Sequence, residues 1–203
     1  MTSMNKSGGG SGASIRSFVA IDISNEIRVE IDNIIGELKS QVDDIRWVKA
    51  ASVHLTLKFL GDVSPDIIPS LRSVMEGVAQ SAKPFKIEVK GLGAFPNPRR
   101  VRVVWIGVHE PSGVLEKMAV GIDRGMASLG FEPEKRAFRP HLTLGRMRGN
   151  GRSGKELAGL IDHAINKPAG NFTANEITLF RSDLKPTGAV YTKLETVKFG
   201  SEE

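Results

Sequence analysis

The tetrapeptide HLTL occurs twice, at 54–57 and 141–144, the two copies standing 141 − 54 = 87 positions apart. They hold two of the chain's four histidines. Each copy alternates polar and apolar residues, the period of a half-buried strand. On an unbroken strand His54, Thr56 and Lys58 point one way and Val53, Leu55, Leu57 and Phe59 the other. His141 and Thr143 likewise oppose Leu142 and Leu144. The leucines belong to a core, which leaves each His–Thr pair on the opposite face, about 6–7 Å apart along the strand.

The surrounding pattern repeats as well. IRSFVAIDI (15–23) reads as a strand, followed by a helix with Ser24 as N-cap and Ile27, Ile31, Ile34, Ile35 and Leu38 on one face. RWV (46–48) is a short strand and VHLTLKFLG (53–61) a longer one. Ser64-Pro65 opens a second helix carrying Ile68, Leu71, Met75 and Val78. FKIEVKGLG (85–93) and RVRVVWIGV (100–108) are strands about a Pro-Asn-Pro turn. A helix over about 112–129 uses Leu115, Met118, Ile122 and Leu129, and RPHLTLGR (139–146) is the next strand. A glycine-rich turn leads to a helix over about 154–166 with Leu157, Leu160, Ile161 and Ile165, and strands at about 172–181 and 189–198 close the chain. Both halves thus read strand, helix, HLTL strand, helix, strand. Two lobes about a pseudo-twofold axis bring both HLTL strands to one central cleft.

Composition limits what that cleft can bind. Lys+Arg exceed Asp+Glu by 28 − 23 = 5 and the pI is about 9.6, which favours an anionic partner, nucleic acid ahead of membrane. With no cysteine, the chain has no disulfide, thiol nucleophile or thiolate-held metal, and suits a reducing cytoplasm. No apolar run approaches the roughly 20 residues of a membrane span. The opening MTSMNKSGGGSGAS reads as an expression tag and Gly/Ser linker, so residues 1–14 are set aside and 15–203 taken as a single bilobal domain.

One neutral and one protonated imidazole supply a general base and a general acid, and a threonine hydroxyl donates to a phosphoryl oxygen. Two such pairs suit in-line attack at phosphorus without a metal. His109 and His163 lack this setting and read as surface residues. A zinc site would need three or four ligands at a recognisable spacing, and neither HExxH nor a Cys pair is present. A serine triad has no GxSxG elbow. GNGRSGKE (149–156) matches G-x-x-x-x-G-K, but Glu156 stands where a magnesium-holding Ser or Thr belongs, and no Walker-B strand is evident. It reads instead as a basic turn in which Arg148, Arg152 and Lys155 attract an RNA backbone.

RSFVAIDI (16–23), HLTLKFLGD (54–62), RPHLTLGR (139–146) and SDLKPTGAVY (182–191) together resemble the 2H phosphoesterases, and within them the RNA 2′,3′-cyclic phosphodiesterases, once called 2′-5′ RNA ligases. The resemblance implies an α+β, bilobal fold of two pseudo-symmetric lobes, each an antiparallel sheet with helices packed outside, around a basic cleft. It also implies hydrolysis of a 2′,3′-cyclic phosphate RNA end to a 2′-phosphate, with no cofactor and no metal. By the same resemblance His54 protonates the departing 3′ oxygen and His141 activates water. Thr56 and Thr143 anchor phosphoryl oxygens, Arg146 contacts the phosphate, Phe59 lies near the base and Tyr191 borders the cleft. The implied partner is an RNA with a cyclic phosphate end, such as a transfer-RNA fragment, or a small cyclic nucleotide, met by a monomer with no membrane involvement. Two alternatives stay open at this point: 2′-5′ ligation of cyclic phosphate and 5′-hydroxyl ends in the same cleft, and a non-catalytic RNA-end binding module.

Overall fold

A computed structural model describes residues 13–149, 154–164, 166–186 and 188–200. The first strand, β1 (Ile15–Asp22), is followed by helix α1 (Asn25–Lys39), which starts where the Ser24 hydroxyl accepts a hydrogen bond from the Ile27 N–H. Its five expected apolar positions, Ile27 to Leu38, are all buried. Then come β2 (Ile45–Trp47), β3 (His54–Val63), α2 (Ile68–Ala79), β4 (Phe85–Phe95), β5 (Val103–His109), α3 (Val114–Ser128) and β6 (His141–Met147). Helix α4 (Gly154–His163) and strands β7 (Pro168–Ala174), β8 (Glu176–Lys185) and β9 (Gly188–Lys198) complete the chain.

Several expected boundaries move for local reasons. Ser64-Pro65 opens a 3-10 turn, Pro65–Ile67, and α-helical geometry begins only at Ile68. There Pro69 lies in the first turn, where a missing N–H costs no helical bond. In α3 the buried face ends at Met126, while Leu129 lies beyond the helix and is exposed. The single strand expected at 172–181 is two strands. Asn175 is a one-residue corner between β7 and β8, which belong to different sheets. No glycine or proline marks that corner, so the alternation reads straight through it.

The strands form two antiparallel sheets, β3-β1-β8-β9 and β2-β6-β5-β4-β7. Their inner strands match one for one: β3, β1, β8 and β9 correspond to β6, β5, β4 and β7. Each HLTL strand holds the same rank, and β2 is the extra strand, paired to the outer edge of β6. The lobes are not the two halves of the chain. β8 and β9 return from the C-terminal end to the sheet of β1, and β2 crosses forward to the sheet of β6. The helices cross too: α1 packs on β7 and β2, α3 on β3 and α2, α2 on β8 and β9. A continuous core of aliphatic residues joins the two sheets and all four helices.

A bulge sits inside each HLTL segment. Along β3, Thr56 pairs with Ala20 but Lys58 pairs with Val19, so Leu57 is an extra residue. Along β6, Thr143 pairs with Trp105 but Gly145 pairs with Val104, so Leu144 is the extra one. The expected facing of Lys58 and Phe59 is therefore reversed. Two residues against one shift the side-chain parity, turning Lys58 inward at 2% exposure and Phe59 outward at 58%. Arg146, an odd number of residues after His141, comes onto the face of His141 by the same shift.

Candidate active site

His54, Thr56 and Phe59 share one face of their sheet with Phe18 and Ala20, their cross-strand partners being Asp22, Ala20 and Phe18 respectively. Phe180 pairs with Phe18 on β8. The His54 ring stacks on Phe18 with centroids 4.4 Å apart and meets Tyr191 edge-on at 4.9 Å. Phe18, Ala20 and Phe180, with Tyr191 packed against them, form an apolar cluster separate from the main core. In the other sheet His141, Thr143 and Arg146 share a face with Gly107, Trp105 and Val103. His141 meets Phe95 edge-on at 4.9 Å, and the Trp105 ring lies 6.2 Å away. Trp105 lies flat over Gly93, where a Cβ would meet its ring carbons at 2.2 Å.

The two faces open onto one site. β3 and β6 lie against each other. Burial raises the Tyr191 phenol, while the charges of Arg146 and Arg16 pull it the other way. Arg146 also helps to lower His141, after burial. The Arg146 charge thus acts both on His141 of its own strand and on Tyr191, the neighbour of His54, in the other sheet.

Both imidazoles are held in the same way. His54 Nδ1 lies 3.0 Å from the Ser52 carbonyl and His141 Nδ1 lies 2.6 Å from the Arg139 carbonyl, each two residues earlier. A carbonyl only accepts, so each Nδ1 carries the hydrogen and each Nε2 is left for chemistry. Burial pushes His54 down to about 4, opposed by the Ser52 carbonyl and by Asp22 and reinforced by Arg28. Burial also lowers His141, against its bond to the Arg139 carbonyl. Such perturbed histidines facing a shared gap mark a candidate functional site.

Sequence reasoning missed the support around His54. One Arg28 nitrogen donates to the carbonyls of Ala50 (3.1 Å), Ala51 (2.9 Å) and Val53 (3.2 Å), gripping the turn that carries Ser52, while the other pairs with Asp22. Lys193 Nζ lies 2.9 Å from the second Asp22 oxygen. Arg28 sits on a helix read only for its apolar stripe, and nothing local signals its reach. Phe18, Phe180 and Trp105 were likewise read as strand residues, and Phe95 fell just past the expected end of its strand at residue 93, though β4 runs on to include it. Their part in the site depends on pairing between distant strands.

The remaining expected residues fall as follows. His109 and His163 are exposed. Beside Phe59 a groove of about 430 Å³ is lined by Phe131, Glu132 and Arg136 among others, and includes neither catalytic candidate. Residues 150–153 of the basic turn lie outside the described residues. Among the described residues no three His, Cys, Asp or Glu side chains cluster as a metal site would require.

The LigT-like phosphoesterase family model matches this chain twice in tandem, over residues 21–105 and 106–191. The chain belongs to the LigT-like phosphoesterase family. It is 36% identical over 184 residues to an RNA 2′,3′-cyclic phosphodiesterase of Methanothermobacter thermautotrophicus, covering 91% of this chain and 98% of the relative. It is 36% identical over 180 residues to one from Archaeoglobus fulgidus, covering 89% and 98%. The crystal structure of Escherichia coli LigT complexed with 3′-AMP superposes with a TM-score of 0.73 at 27% identity, over 92% of this chain and 99% of that one. The tandem matches divide the sequence near residue 105, whereas both sheets draw strands from either side of that point.

Proposed function

We propose that this protein opens RNA 2′,3′-cyclic phosphate ends with water, leaving a 2′-phosphate and a free 3′ hydroxyl. The carrying observation is the matched pair of imidazoles, each fixed through Nδ1 to a backbone carbonyl with Nε2 free. Water attacks phosphorus as His141 Nε2 takes its proton, and the P–O3′ bond breaks as His54 Nε2–H delivers a proton to the leaving O3′. Thr56 and Thr143 donate hydroxyl hydrogens to the non-bridging oxygens, and the Arg146 guanidinium offsets the charge gathering there. The exposed Phe59 ring stacks on the terminal base, and Tyr191 closes the cleft beside His54.

Burial that keeps imidazolium out of the empty site is reversed when an anionic phosphate enters, since a nearby negative charge favours the protonated ring. Substrate therefore charges its own acid. Transfer-RNA fragments and small cyclic nucleotides both present the required group, and a monomer supplies every residue named here. No helix is long and apolar enough to cross a membrane among the described residues, and the reading places the reaction in the cytoplasm. The relatives bear phosphodiesterase names, so ligation is not favoured. A non-reacting binding module has no use for two oriented imidazoles.

The test is incubation of a short RNA ending in a 2′,3′-cyclic phosphate with excess chelator, wild type beside His54→Ala and His141→Ala. A 2′-phosphate product from wild type alone is expected. An intact cyclic end after wild-type treatment would overturn the reading.

A further inference from the structure

The one strand that breaks the match between the two sheets carries an unexplained charge. β2 lies on the outer edge of β6, with Arg46 directly opposite Arg146. Residues directly opposite on neighbouring strands project from the same face, so Arg46 stands beside Arg146 on the face of His141 and Thr143. Like charges so placed repel, and neither guanidinium belongs to any ion pair found among the described residues.

The arrangement is held rather than incidental. Ile45, before Arg46, is 2% exposed, and Trp47, after it, packs against the core. Both fit only because β6 has glycine at 145, where a Cβ would meet Ile45 Cγ2 at 2.4 Å and Trp47 Cε3 at 3.0 Å. The Val48 N–H also donates to the Leu144 carbonyl at 2.9 Å, extending the ladder. Arg46 is thus presented outward from an anchored strand, exposed, one strand further out than Arg146.

Two adjacent guanidiniums with no ion-pair partner among the described residues suit two adjacent anions. In an RNA ending in a 2′,3′-cyclic phosphate, the next anion along the chain is the phosphodiester on the 5′ oxygen of that same nucleoside. Strands about 4.8 Å apart carry two long arginine side chains whose heads can separate to reach anions several ångströms apart. We propose that Arg46 binds this upstream phosphodiester, so that the site prefers an oligoribonucleotide end over a mononucleoside cyclic phosphate. The proposal rests on the cyclic-phosphate reading above and names its substrate class.

The experiment compares adenosine 2′,3′-cyclic phosphate with a three-nucleotide RNA bearing the same end, using wild type, Arg46→Gln and Arg46→Lys. The ratio of kcat/KM for the oligonucleotide to that for the mononucleotide is expected to fall about tenfold in Arg46→Gln and to be largely restored in Arg46→Lys. The slope of log kcat/KM against log salt for the oligonucleotide should shallow by roughly 0.7, the value of one single-strand phosphate contact. An unchanged ratio, or an equal loss with both substrates, overturns the proposal. A parallel arm measures by calorimetry the affinity for the trinucleotide and mononucleotide 2′-phosphates. If wild type leaves both cyclic substrates intact, the hydrolytic reading fails, while the effect of Arg46→Gln on this affinity ratio still decides the role of Arg46.

Discussion

Lys58 and Gly145 occupy the same step of the two HLTL strands, each the residue after the bulge and each turned inward. In one lobe that inward position holds an ammonium that reaches Asp123 on α3 at 2.6 Å and the Glu132 carbonyl at 2.6 Å. In the other it holds no side chain, and Ile45 and Trp47 of β2 fill the space. One residue difference therefore ties α3 to the first lobe and admits an extra strand to the second.

Lys58→Ala is expected to destabilise the fold by about 1–3 kcal/mol, because it empties a buried position and leaves the partly exposed Asp123 and the Glu132 carbonyl without their donor. Burial alone would raise the Asp123 carboxyl, but the Lys58 ammonium and the Glu134 N–H hold it low. Lys58→Met, which keeps the volume, should cost less than the alanine change despite losing the same charge. Urea unfolding at neutral pH separates the two, and equal losses would show that only the lost charge matters.

Gly145→Ala is expected to push β2 away from β6 and, with it, Arg46. Over-packing of this kind costs roughly 1–3 kcal/mol. Activity on an RNA oligonucleotide should fall further than activity on a mononucleoside cyclic phosphate, because Arg46 is displaced along with its strand. Initial rates on the two substrates decide it, and an even loss would argue against an ordered β2 in substrate binding.

The pH behaviour follows from the direction of the histidine shifts. His54 is pushed down to about 4 and His141 lowered from its ordinary 6.5. The free protein must nonetheless carry one protonated and one neutral ring to react, so kcat/KM should be bell-shaped with both limbs below about pH 7 and apparent values belonging to the pair. The kcat profile should lie at higher pH, since bound phosphate favours imidazolium. An acid limb for kcat/KM above pH 7 would contradict the burial seen at His54.

The same shift is a stability statement. Between about pH 4 and 6.5 the unfolded imidazole of residue 54 binds a proton that the folded one refuses, so stability rises with pH across that window. The contribution at neutral pH, lost on acidification, is at most roughly 3 kcal/mol. His54→Asn should flatten the slope of unfolding free energy over that window. An unchanged slope would place the His54 ring in solvent.

Arg28→Ala is expected to lower kcat on the order of tenfold with little change in KM, because it frees the turn whose Ser52 carbonyl orients His54 without touching substrate. His54→Ala and His141→Ala should each cost about 10² to 10⁴. Thr56→Ala or Thr143→Ala should cost about 1–3 kcal/mol of phosphate contact. Steady-state kinetics on one substrate ranks all five, and a threonine variant worse than both histidine variants would invert the assignment.

The parts of the fold legible in the residues were those set by periodicity. The five buried positions of α1 follow a helical period, and the leucines of both HLTL segments follow a strand period. Parity failed where a bulge intervened. Nothing in LTLKF says that Leu57 is skipped by its neighbour strand, because a bulge is a property of pairing with β1 rather than of the segment itself. The corner at Asn175 was hidden because a single polar residue between two strands looks like one more alternation. Phe18, Arg28 and Trp105 escaped notice for a related cause: each acts on a histidine tens of residues away in sequence, and only tertiary pairing brings them together.

The return of β8 and β9 to the sheet of β1 has a kinetic consequence. On a ribosome, β3 and its histidine emerge long before residues 176–198, yet their sheet stays two strands wide until those residues arrive. A two-stranded ribbon is marginal in water, so neither half of the chain can mature alone, and folding must wait for closure between the first strand and the last pair. Such long-range closure slows folding. It also means that a nascent chain truncated before residue 176 presents the strand of His54 with only one neighbour, β1.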